Sequence, residues 1–141
     1  MTDRPRAALS RAFLVALGGA PYLFMLLRSR LSESSVHFAE GVFEAMCRSA
    51  PGRALSWSGA AMPVCSRCAG FYAGLAAGAV VARPRMTEAT SRLALLAAAA
   101  LAILDVAAQD AGLHSLWHST RLATGAALGW GLTMAAVSRG R

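Results

Sequence analysis

Lysine is absent: all fourteen basic residues are arginine, set against seven carboxylates for a net charge of +7. Charge of either sign is scarce, at 15% of 141 residues, whereas apolar residues reach 56% and mean hydropathy is +0.48. An ordinary soluble domain needs more polar helix surface than this chain carries, and the balance suits a small integral membrane protein of one domain, residues 1–141. The arginines are scattered and form no basic stripe interleaved with aromatics, so nucleic acid is not an expected partner. Cysteines number only three, and an odd count excludes a fully paired intramolecular disulfide framework. A phosphate-cradling glycine loop, a serine nucleophile elbow and paired intramembrane carboxylates are all missing. Ala69 follows Cys68, so the Cys-x-x-Cys-His haem attachment is missing too. Nothing in the sequence identifies a substrate.

What the chain does have is apolar runs. Four stand out: Ala12 to Leu27, Val64 to Ala82, Leu93 to Ala108 and Leu122 to Val137. Each is near the lower limit of the roughly 17–25 residues that cross a ~30 Å hydrocarbon core. The expected fold is therefore all-α, a four-helix integral membrane bundle. The first run has the basic flank of a signal peptide. However, Pro21 follows the only small-residue site, Gly18-Gly19-Ala20, and the run continues to Leu27, so a retained, kinked helix is expected.

Arginine placement orients the bundle. Arg4, Arg6 and Arg11 precede the first helix, Arg83, Arg85 and Arg92 fall in the second loop, and Arg139 and Arg141 follow the fourth helix. Residues 109–120 hold no basic residue. This pattern predicts a multi-pass protein of the cell membrane with both termini cytoplasmic. Arg28, Arg30, Arg48 and Arg53 in the first loop argue the other way, though Glu33, Glu40 and Glu44 accompany them. Within the first loop, residues 35–47 read as a short interfacial amphipathic helix, with Val36, Phe43 and Met46 on one side. Pro51-Gly52 breaks it. An irregular stretch then leads to Pro63, a residue suited to starting the second helix.

Four alternating helices bring the first and third loops to one membrane face. There the sequence gathers Cys47, Cys65, Arg67, Cys68, Asp105, Gln109, His114, His118 and Arg121. Asp105 lies inside the third run. An ionisable residue there costs about 2.5–3.5 kcal/mol at the helix centre on insertion scales, so it calls for a partner, Arg121 or Arg67. Gln109 shares its helical face. Gly70, Gly74 and Gly78 in the second run and Gly125 and Gly129 in the fourth are spaced to let backbones approach. These stripes predict that the second and fourth helices pack together. They would equally serve a homo-oligomer or a membrane partner.

The site that carries chemistry is Cys65-Ser66-Arg67-Cys68, at the mouth of the second run and with Cys47 upstream. Three convergent thiolates suit a soft metal such as zinc, with His114 or His118 available as a fourth ligand. The same residues permit thiol–disulfide exchange, with Cys65 and Cys68 as the pair, Cys47 as the resolving thiol and a quinone or partner thiol as oxidant. In a third reading the cysteines only stabilise the first loop of a membrane scaffold. Arg67, Asp105, Gln109 and Arg121 are the polar residues placed to bind a cofactor.

Topology and one motif are similar to the quinone-linked disulfide-generating proteins of the bacterial inner membrane. Those proteins carry a second cysteine pair between the third and fourth helices, and residues 109–120 have none. A wider resemblance runs through Cys47-Arg48, Arg53, Ser56, Gly59 and Pro63-Val64-Cys65-Ser66-Arg67-Cys68-Ala69-Gly70-Phe71-Tyr72-Ala73-Gly74. It continues through Leu104-Asp105, Gln109, Arg121 and Gly125. This pattern resembles the family of small multi-pass membrane proteins of bacteria and archaea known as domain of unknown function 2085. The resemblance implies a membrane protein with a metal or thiol site at its cysteines. Arg48 stands where the family usually has His, so His114, His118, His37 or Asp105 would have to supply a fourth metal ligand.

Overall fold

The computed structural model describes residues 3–47, 52–57, 59–81, 87–113, 115 and 117–138. It is mostly helical. Helix α1 (Asp3–Leu27) leads through a short turn of 3₁₀-helix (Arg28–Arg30) into α2 (Glu33–Met46). Strands β1 (Ala54–Trp57) and β2 (Ala60–Cys65) follow, then α3 (Ser66–Val81), α4 (Glu88–Asp110) and α5 (His118–Ser138).

The four long helices alternate in direction. Tyr22 Oη donates to the Ala69 carbonyl at 2.6 Å, and Gly18 faces the backbone around Ala76, which sets α1 antiparallel to α3. Helices α3 and α5 run parallel and are the most intimate pair. A Cβ on Gly70 would meet the Leu122 carbonyl, one on Gly74 the Ala126 carbonyl, and one on Gly125 or Gly129 the carbonyls of Arg67 or Phe71. The two glycine stripes therefore interlock within the chain, as the spacing predicts, and backbone lies on backbone where any side chain would collide. Thr133 Oγ1 closes the far end, 3.3 Å from the Leu75 carbonyl. Helix α4 lies on the outer side of α5, with Leu95 against Gly131, and α1 lies on α3.

Among the described residues, two helices have the length and apolarity to cross a membrane: Ala8–Arg30 and Glu88–Asp110, with mean hydropathies of 1.5 and 1.8. Only 17% of each window is buried within the protein. The core helix of a soluble protein would instead be mostly covered. Leu93, Leu96, Leu101, Ile103 and Leu104 stand exposed along α4, a distribution that an apolar solvent favours and water does not. The sequence predicts four spans. Within the described residues α3 runs for 16, since Val64 and Cys65 before it belong to a strand, and α5 carries Arg121 and three glycines that lower its mean hydropathy.

That strand is the principal departure from expectation. Strands β1 and β2 pair antiparallel as a hairpin, with Trp57 opposite Ala60, and Gly59 between them takes φ +80°. A two-residue connection with a left-handed glycine matches the right-handed twist of paired strands. Pro63 therefore sits in β2, where a two-stranded sheet tolerates a missing N–H on its open edge, and does not start a helix. Helix α2 forms nearly over the predicted span, but its faces differ from the prediction. Phe43 packs inward on Phe24 at 5.7 Å between ring centroids, while Phe38, Val42 and Met46 form the exposed apolar stripe. The core beneath α2 and the hairpin contains Cys47, Met62, Val64, Cys65, Ala69, Tyr72 and Leu75.

Candidate metal centre

Three different pieces of backbone deliver the cysteines. Cys47 ends α2, its N–H bonded to the Phe43 carbonyl at 2.8 Å. Cys65 is the last residue of β2 and faces Ala54 across the hairpin; the Ser66 N–H then reaches the Arg53 carbonyl at 2.9 Å, which fixes the strand-to-helix corner. Cys68 stands in the first turn of α3. The Cys-x-x-Cys pair thus spans a strand end and a helix start, whereas a purely helical reading would put both in one turn.

The three sulfur atoms lie within 4.8 Å of one another. All are free thiols; Cys47 and Cys65 are buried and Cys68 is half-buried. Tetrahedral zinc with Zn–S bonds of about 2.3 Å places its sulfurs roughly 3.8 Å apart, so the cluster needs only a small contraction to hold the ion. The surrounding backbone is arranged for sulfur bearing negative charge. The Cys65 N–H donates to Cys47 Sγ at 3.4 Å, and Cys65 Sγ accepts from the N–H groups of Cys68 and Arg67. The Cys68 thiol also donates to Cys65, and together these contacts hold the Cys65 thiol down to about 4. Burial pushes the Cys47 thiol the other way, above its ordinary range.

Behind the thiols lies the polar group that the sequence gathers. Arg67 donates from NH2 to Asp105 Oδ2 at 2.5 Å, with side chains only 20% and 10% exposed, so Arg67 is the partner that Asp105 requires. Gln109 lies half-buried one turn further along α4. Arg121 is 5% exposed, and its Nε and NH1 have no hydrogen-bond partner among the described residues. Arg67, Cys65, Arg53 and Asp105 all lie within electrostatic reach of it.

Among the described residues, the histidines stand apart from the convergent thiols. His118, at the start of α5, is half-buried, its Nδ1 has no partner among the described residues, and its ring is not part of the three-thiol group. His37 is exposed beside Glu40, and His114 lies outside the described residues, as does Arg48. One polar residue escaped the sequence reading. Ser66 is fully buried, its hydroxyl has no partner among the described residues, and only its place inside the Cys-x-x-Cys motif could have signalled it.

A family model described as a predicted membrane protein, DUF2085, matches residues 47–135, more than half of the chain and all of the cysteine cluster. No curated protein and no solved structure matches the chain.

Proposed function

The chain belongs to the DUF2085 family of predicted membrane proteins, and on that premise we propose that it is a multi-pass membrane protein whose cysteine cluster binds a soft divalent metal, zinc. The observation that supports this reading is the convergence of Cys47, Cys65 and Cys68 within 4.8 Å, each from a separate backbone element. A disulfide exchange centre needs two such thiols. A third, buried at the same distance and bonded to a backbone N–H, is what a coordination shell uses. Zinc held there would tie α2, the hairpin and α3 together. The fourth position is left to a neutral ligand from outside the three-thiol group, which His118 does not join in this arrangement.

In this reading α1, α3, α4 and α5 all cross the bilayer. The 16-residue α3 crosses with the shorter hydrophobic length that β2 leaves it, shielded by α1 and α5. Both termini are cytoplasmic and the cysteines lie near the outer surface. The exposed stripe Phe38, Val42 and Met46 rests α2 on the lipid interface. The direct test is elemental analysis of purified protein together with a count of alkylatable thiols. Bound zinc with three thiols released by chelation supports the proposal. Metal-free protein with one free thiol replaces it by the redox reading.

A further inference from the structure

Arg121 presents an unresolved charge. It is 95% buried, its Nε and NH1 lack partners among the described residues, and the fully buried Ser66 hydroxyl lacks one too. Interlocked helices hold it in place. Gly125, one turn further along α5, rests on the Arg67 carbonyl, and Leu122 rests on Gly70, so Arg121 is fixed beside the first turn of α3. A buried cation without a counter-charge costs several kcal/mol, and packing of this kind does not let the side chain escape.

The local sum shows what is missing. Arg67 and Arg121 bring two positive charges, and the Asp105 carboxylate, bonded to Arg67, returns one negative. Arg53 is exposed and screened by water. One positive charge remains uncompensated, and the neighbouring group able to answer it is the cysteine cluster. Three thiolates around a divalent ion carry one net negative charge. A Cys65–Cys68 disulfide with a Cys47 thiol carries none.

We propose that Arg121 is the buried counter-charge of the cysteine cluster: it favours the metal-holding state of Cys47, Cys65 and Cys68, which is net negative, and disfavours their neutral disulfide. The proposal rests on the metal reading for its ligand, a divalent thiophilic cation with a neutral fourth ligand. Its effect on the thiols stands apart from that reading. Oxidation of the Cys65 thiolate and the Cys68 thiol to a disulfide removes two electrons and one proton; oxidised glutathione takes these with one further proton from water and leaves as two thiols, and Arg121 then faces a neutral sulfur pair.

The experiment uses detergent-purified full-length protein as wild type, Arg121→Met and Arg121→Lys. Zinc affinity is measured by chelator competition, and disulfide content after equilibration in glutathione buffers of graded poise. Arg121→Met is expected to bind zinc at least about tenfold more weakly, the scale seen when an outer-shell partner of a metal site is lost. It is also expected to form the disulfide at a more reducing poise, while Arg121→Lys stays near wild type in both assays. Should Arg121→Met fail to fold, Arg121→Gln takes its place with the same expectation. An uncharged variant that matches wild type in both assays overturns the inference. If wild type binds no zinc, the metal reading fails alone. The glutathione series then decides: an unchanged midpoint overturns the role of Arg121 and a shifted one upholds it.

Discussion

Arg67 Nη2 donates to Asp105 Oδ2 across 2.5 Å, joining the first turn of α3 to the last third of α4. The link places a carboxylate behind the Cys-x-x-Cys motif and explains how a membrane-favouring helix carries an acidic residue at all. Removing one partner of a buried pair strands the other charge and costs on the order of 3–5 kcal/mol. Asp105→Ala should therefore lower the thermal midpoint well below that of Asp110→Ala, whose side chain is exposed. Equal midpoints in detergent would show that the pair is solvated and contributes nothing.

The interlocked glycines allow a sharper test of the packing. Gly74→Val places a branched side chain against the Ala126 carbonyl and the Trp130 backbone, whereas a Cβ on Gly19 meets nothing within 4 Å. Gly74→Val should abolish a stable fold in detergent, and Gly19→Val should leave the thermal midpoint nearly unchanged. Circular dichroism melts of the two proteins check both.

Metal binding should release protons in a number set by the thiols. At pH 7 Cys65, held down to about 4, is already ionised. Cys47, raised by burial, is protonated, and Cys68 still has a proton to donate to Cys65. Zinc binding at pH 7 should thus release about two protons, since every coordinating thiol must be deprotonated. As pH falls towards 4 Cys65 also takes up a proton, so the release rises towards about three and affinity declines. Calorimetry in buffers of different ionisation enthalpy measures the count. A release of about three at pH 7 would mean that Cys65 is not held as a thiolate.

Topology is open to a direct labelling experiment. A membrane-impermeant thiol reagent, applied to intact cells after mild reduction and chelation, should reach the cluster from outside. Labelling only after lysis would reverse the orientation and place the thiols in a reducing compartment, where disulfide chemistry is disfavoured.

The helices and their packing were legible in the sequence because each depends on a periodic signal. Four-residue glycine spacing in 70–78 and 125–129 predicts the α3–α5 contact, and the cost of charge in an apolar helix predicts that Asp105 has an arginine partner. The three cysteines converge as their motif suggests. The hairpin was not legible to a reading that followed helical apolarity. Val64 and Cys65 are as apolar as the helix they precede, and strands of 4 and 6 residues give too short a pattern to compete with it. The turn signal, a serine–glycine pair with Gly59 in the left-handed region, was present. The exposed face of α2 was misplaced because its apolar residues occupy two adjacent stripes. Only the contact with Phe24 decides that Phe43 turns inward.

Serine replacement of each cysteine in turn, with zinc and disulfide content measured on the same purified samples, tests the metal reading most directly. Each thiolate closes the same coordination shell, so Cys47→Ser, Cys65→Ser and Cys68→Ser should each lose most of the bound zinc, and the three variants should be nearly equivalent. An unequal series would contradict it: no zinc in wild type, a disulfide lost in Cys65→Ser and Cys68→Ser, and that disulfide retained in Cys47→Ser.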